Sequence, residues 1–170
     1  MLLRRSIKGG SKTIPSHIET RLNELGDEIR KDIGKDYPVG NVGAAITDIE
    51  GVSGEIKAYS KYNNSISNTS LNHEYSYNFG ENNRIFDTQL VNSDNIINGP
   101  RAYDRAVDSE SKILEDIAHQ LGYNQFCVDE TVKGSVYLLT ERPPCPSCEE
   151  VIKQFKKMFP NLNVYVINKF

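Results

Sequence analysis

From Gly134 to Asn168 the chain reads GSVYLLTERPPCPSCEEVIKQFKKMFPNLNVYVIN, and no other stretch limits the possible folds as much. Its first part, GSVYLLTE, is an unbroken apolar run, as in a strand buried on both faces. Next, Val151, Ile152, Phe155, Met158 and Phe159 recur at helical spacing and line one face. NLNVYVIN then reads as a second buried strand. Strand, helix and strand joined by short connections form a right-handed βαβ unit, so at least part of the sheet is parallel.

The upstream sequence adds to this unit. In PSHIETRLNELGDEIRKDIG, residues Ile18, Leu22, Leu25, Ile29 and Ile33 share one helical face. Ser16 and Glu19 have the spacing of a capping box, and Gly34 suits a left-handed C-terminal position. GAAITDIEGVSGEIKAYS predicts a hairpin, with strands near 42–49 and 55–60 around Gly51 to Gly54. Residues 61–100 are rich in Asn and poor in aliphatics, which predicts a long loop insertion, with NNRIFDTQLVN supplying a short edge strand. Its aromatics, Tyr75, Tyr77, Phe79 and Phe86, suit either stacking on bases or the commoner packing into a satellite core. DSESKILEDIAHQLG is a further helix, burying Ile113, Leu114, Ile117, Ala118 and Leu121 and ending at Gly122. The order is α, β, β, loops, α, β, α, β. It predicts an extension or linker over 1–14 and a single α/β domain over 15–170, with a mixed sheet and helices on both faces.

Composition matters at three points. A formal net charge of −3 gives no overall attraction for phosphate, so a nucleic-acid partner must meet a local basic patch. Two stretches offer one: Arg4, Arg5, Lys8 and Lys12 near the start, and Lys153, Lys156, Lys157 and Lys169 near the end. Three cysteines cannot form a multi-disulfide framework. No apolar run approaches about 18 residues, so no segment is expected to cross a membrane by itself.

Cys145 and Cys148 then need a role of their own. Both fall in the first turn of a helix that follows a strand, where the dipole and free N–H groups favour thiolate. A thioredoxin-like dithiol oxidoreductase would use this arrangement, but little chain remains after NVYVIN for its later cis-proline segment and closing hairpin. A structural zinc site wants four protein ligands, and no second Cys-x-x-Cys or His pair is present. A catalytic site needs three. Zinc-dependent base deaminases place His-x-Glu at the start of one helix and Pro-Cys-x-x-Cys at the start of the next. Here Asp108-Ser109-Glu110 and Pro144-Cys145-Pro146-Ser147-Cys148 stand in those places.

RAYDRAVDSESKILEDIA, followed by the βαβ stretch, closely resembles the deaminase toxin domains at the C-termini of bacterial polymorphic toxins, a branch of the cytidine deaminase superfamily. The resemblance is strong from Arg101 to Asn168 and weaker over GNVGAAITDIEG. It implies a cytidine-deaminase-like α-β-α sandwich holding one zinc ion through Asp108, Cys145 and Cys148, with Glu110 as the acid-base catalyst. By the same resemblance Arg142 and Pro143 would lie near the exocyclic amine, and Ser60 would offer a small polar contact. The implied substrate is cytosine in nucleic acid, single-stranded DNA before RNA. The setting would be a toxin secreted or delivered as part of a larger protein, acting in the target-cell cytoplasm and matched by a cognate immunity protein. An Asp-x-Glu start occurs in several such toxin families. Even so, two thiolates and Asp108 leave a zinc site at minus one where an imidazole would leave it neutral. His73, His119 and Cys127 are the alternative third ligands. A dithiol oxidoreductase, a zinc-stapled binding module and a free-nucleoside deaminase remain the rival functions.

Overall fold

In the computed structural model, which describes residues 13–62 and 75–170, helix α1 (Ser16–Ile33) lies on one face of a four-stranded sheet. Strands β1 (Val42–Asp48) and β2 (Glu55–Tyr59) form the hairpin that the sequence predicts. After the loop region come the two-residue strands β3 (Leu90–Val91) and β4 (Tyr103–Asp104), then α2 (Ser109–Gln120). The βαβ unit is β5 (Gly134–Thr140), α3 (Pro146–Met158) and β6 (Leu162–Asn168). Sheet order is β2-β1-β5-β6, with β5 antiparallel to β1 and parallel to β6.

Alternation along the inner strands sorts side chains between two cores. Val42 and Ala44 of β1 and Leu139 of β5 face α1, where Leu22, Leu25 and Ile29 are fully buried. Ala45, Val136 and Leu138 face the other way, onto Ile113, Leu114 and Ile117 of α2 and Val151, Ile152 and Phe155 of α3. Each buried Val, Leu, Ile or Phe among them contributes about 1.5–3 kcal/mol, so both faces of the sheet are committed. The result is the α-β-α sandwich of a cytidine-deaminase-like α/β fold.

Several local expectations change. Ser16 does not cap α1, because the helix begins there and Pro15 is the N-cap, its carbonyl accepting from the N–H groups of Ile18 and Glu19. Gly34 does take the left-handed turn, at φ 60°. β6 is an edge strand whose Leu162 and Val164 enter one core and Ile167 the other, with Asn163 its exposed residue. Gln89 to Asn92 does not extend the main sheet, since β3 pairs with β4 in a separate ribbon. The cause is competition by side chains: Glu115 takes the N–H groups of Ile85 and Phe86, Gln154 takes that of Asp87, and Ser147 takes that of Gln89. Tyr75 and Phe86 are core residues, whereas Phe79 stacks between Tyr77 and His119.

The basic patches are also altered. Lys153 pairs with Glu150 and Lys169 with Asp27, so the C-terminal lysines do not make one unopposed stripe. Arg4, Arg5, Lys8 and Lys12 lie outside the described residues. No helix among the described residues is long and apolar enough to cross a membrane.

One ion pair fixes the loop that leads into β1. Arg30 makes a two-pronged contact with Glu141, in which Nε lies 2.8 Å from Oε1 and Nη2 also meets Oε2. The same guanidinium donates to the carbonyls of Lys35, Val39 and Gly40, while Glu141 accepts from the N–H of Val42. Side-chain exposures of 12% and 3% place the pair inside, where removing one partner costs about 3–5 kcal/mol. Glu141→Ala should therefore lower the thermal midpoint by about 10 °C. Arg21→Ala, which breaks an exposed cluster with Glu24, Glu28 and Glu55, should cost less than about 1 kcal/mol. Equal midpoints for the two variants would refute this ranking.

Candidate metal centre and active site

Two helix starts meet above the sheet. α2 begins at Asp108 and α3 at Cys145, which are their respective N-caps. Gly43 of β1 allows the approach: a Cβ there would stand 2.9 Å from that of Ser109, so any side chain would push the start of α2 outward. Asp108 Oδ2 lies 3.3 Å from both Cys145 Sγ and Cys148 Sγ, and the sulfurs are 3.5 Å apart and unbonded. Among the described residues these three form the only group whose ligand atoms could share one metal ion.

Glu110 is 3% exposed and its Oε2 is 3.8 Å from Cys148 Sγ. Its two oxygens accept from different hydroxyls, Ser109 Oγ at 3.1 Å and Thr140 Oγ1 at 2.8 Å. The amide of Asn41 donates to both of those hydroxyls at 2.9 Å, so one side chain from the β1 end aims each proton at the carboxylate. Burial, and then the charge of Asp108, push the Glu110 carboxyl above the usual range. The Cys148 thiol is pushed well up by its hydrogen bond with Cys145, by burial, and by Glu110 and Asp108. The helix start alone therefore does not favour a Cys148 thiolate.

This donor set fits a zinc ion. Two thiols and one carboxylate oxygen, gathered within 4.8 Å, match the ligand types and number of a catalytic site that keeps a fourth position open. The Glu110 carboxyl and the Cys148 thiol, buried beside Asp108 and resisting ionisation, are also what a divalent cation would relieve.

A cavity of about 540 Å3 opens onto Asp108 and is lined by Asn41, Ser60, Lys61, Tyr103, Arg105 and Arg142, among others. Ser60 accepts from the N–H of Asn41, and Arg142 donates to Pro38 while its own N–H bonds Asn41 Oδ1. Pro143 is exposed and does not line the cavity. The C-terminal lysines do not line it either. Of the alternative ligands, His119 contacts Glu115 and Phe79 away from the thiols, Cys127 is exposed and is not among the gathered ligand atoms, and His73 lies outside the described residues.

Three contributors were not singled out from sequence. Asn41 sits in a turn-like Gly-Asn-Val, and nothing nearby in sequence shows its partners. Lys112 belongs to the polar side of α2, yet it is 1% exposed and donates to the carbonyls of Tyr59 and Tyr62, holding the turn that carries Ser60 and Lys61. Burial pushes its ammonium down to about 7. Arg105, three residues before Asp108, faces that carboxylate at 3.3 Å; a charge at i−3 was the one readable signal.

An α-β-α sandwich that presents a buried glutamate beside an Asp-Cys-Cys group at two helix starts has the make-up of a hydrolytic deaminase. The chain belongs to a toxin-deaminase family, described as the BURPS668_1122 family of deaminases, whose model matches residues 21–169. Neither the curated proteins nor the solved structures gave a significant match.

Proposed function

We propose that the chain is a zinc-dependent deaminase converting cytosine to uracil in single-stranded DNA, and that it serves as a toxin effector domain. The observation that carries this reading is the buried Glu110 carboxylate beside Asp108, Cys145 and Cys148, in a chain of a deaminase family. Bound to those three residues, zinc would act as a Lewis acid that makes a water more acidic. Glu110 would carry the protons, taking one from the attacking water and delivering protons to ring N3 and to the departing amine, so that ammonia leaves. Ser109 and Thr140 hold its two oxygens for that task. Water and cytosine are consumed, and uracil and ammonia are formed.

Lys61 and Arg142 on the cavity wall, with half-exposed Tyr103 beside them, favour a phosphate-bearing strand over a free nucleoside. A single strand is preferred because the reacting base must leave its stack, and a negatively charged chain has little electrostatic energy for opening a duplex. Arg142 would meet the strand at the cavity mouth and Ser60 would contact the base. Delivery within a larger toxin and neutralisation by an immunity protein complete the reading; the family supports the toxin role.

Uracil formation should be fastest on single-stranded DNA, then RNA, then duplex DNA, and slowest on free cytidine, at one salt concentration. Faster turnover of free cytidine than of every polymer would overturn the polymer reading. Conversion of adenine alone would overturn the choice of base.

A further inference from the structure

Asp108 departs from the usual behaviour of its position. An aspartate at a helix N-cap ordinarily accepts from a backbone N–H of the first turn, but the Asp108 side chain caps none. Instead its two oxygens are divided. Oδ2 faces both sulfurs at 3.3 Å, and Oδ1 faces Arg105 Nη1 at 3.3 Å. Both side chains are only 12% exposed, so this pair is weakly screened by solvent.

Arg105 is itself held from several directions. It belongs to the single turn between β4 and Asp108, its Nη2 donates to the carbonyl of Asn92 at 3.1 Å, and its Nη1 also donates to Tyr103 Oη at 2.5 Å. The guanidinium lies over the Tyr103 ring, 4.5 Å from its centre. The β3–β4 ribbon thus fixes the arginine, and the arginine fixes the aspartate.

We infer that Arg105 is the positioning residue for Asp108: it occupies Oδ1, presents Oδ2 alone to the metal, and supplies the positive charge that an aspartate ligand requires and a histidine ligand would not. Two thiolates, Asp108 and a dication sum to minus one, and Arg105 returns that sum to zero. Groups that orient a ligand in this way change metal affinity about 10–100-fold when removed. The inference rests on the metal reading given above and is independent of the substrate.

The test is a double-mutant cycle of Arg105→Gln and Asp108→His, read as the zinc dissociation constant by competition with a chromophoric chelator. Arg105→Gln alone should raise that constant about tenfold or more. In the Asp108→His background the same change should alter it by less than about twofold, because the carboxylate it served is gone. The cobalt(II) absorption bands should shift with Arg105→Gln only when Asp108 is present, and Arg105→Lys should restore part of the affinity. Equal losses in both backgrounds, or none in either, would overturn the assignment. If Arg105→Gln fails to fold, Arg105→Lys gives the comparison on a smaller scale, its partial loss appearing only where Asp108 is present. A wild-type protein that binds no zinc would overturn the metal reading itself, which this cycle separates from the role of Arg105.

Discussion

Glu110→Gln should slow deamination about 10²–10⁴-fold while leaving the zinc content unchanged, the range over which a positioned acid-base group acts. The substitution keeps shape and burial. Thr140 Oγ1 and Ser109 Oγ lie 2.8 and 3.1 Å from the carboxylate, and either hydroxyl can accept from an amide as well as donate to one oxygen. The fold is therefore retained, and what disappears is a group able to take up and release a proton beside the reacting base. Uracil formation and metal content measured on one preparation decide the matter. Parallel loss of zinc would show Glu110 to be a ligand, and full activity would remove it from the mechanism. In cells, growth arrest caused by the wild-type chain should be absent with this variant.

Cys148→Ala should lose the metal altogether. The side chain is 1% exposed, its sulfur sits within 3.8 Å of Asp108, Cys145 and Glu110, and no other described sulfur or imidazole adjoins the site to take its place. Metal binding is linked to folding, so the loss reaches stability as well. Zinc at about 1,000 times its dissociation constant stabilises the folded state by about 4 kcal/mol. For a chain of this size that corresponds to about 10 °C of thermal midpoint. Chelator should lower the wild-type midpoint by a similar amount and leave that of Cys148→Ala unchanged. A wild-type midpoint indifferent to chelator would remove the metal from the account. Turnover of a disulfide substrate that depends on both cysteines would revive the dithiol reading.

The elements legible in the sequence are those with short-range causes. The βαβ unit shows in two apolar runs and one helical face, and α1 shows in Leu22, Leu25 and Ile29, all fully buried. The site was legible through motif spacing, which placed Asp108 and Glu110 on one helix start and both cysteines on the next. What stayed hidden depends on partners far away in the chain. Glu115 reads as a solvated helix residue until the N–H groups of Ile85 and Phe86 are seen to end on it. Lys112 reads the same way, because periodicity assigns one buried face to a helix that is in fact enclosed by the sheet, α3 and the segment after Tyr75. Lys153 and Lys169 read as part of a patch because their acidic partners, Glu150 and Asp27, lie beyond that stretch.

The side-chain bond between Asn41 and Thr140 spans 99 positions of chain, and it lies beside the pairing of β1 with β5. Closing so long a segment is entropically costly before it is rewarded, and strand pairing at this separation is intrinsically slow. During folding the two cysteines can meet early, being three positions apart, while Asp108 lies 37 positions before the nearer of them. An unfolded chain thus offers a passing cation two thiols and little else. Asp108 reaches the thiols, and Thr140 reaches Glu110, only across 30 or more positions of chain, so the complete site depends on closure of the sheet.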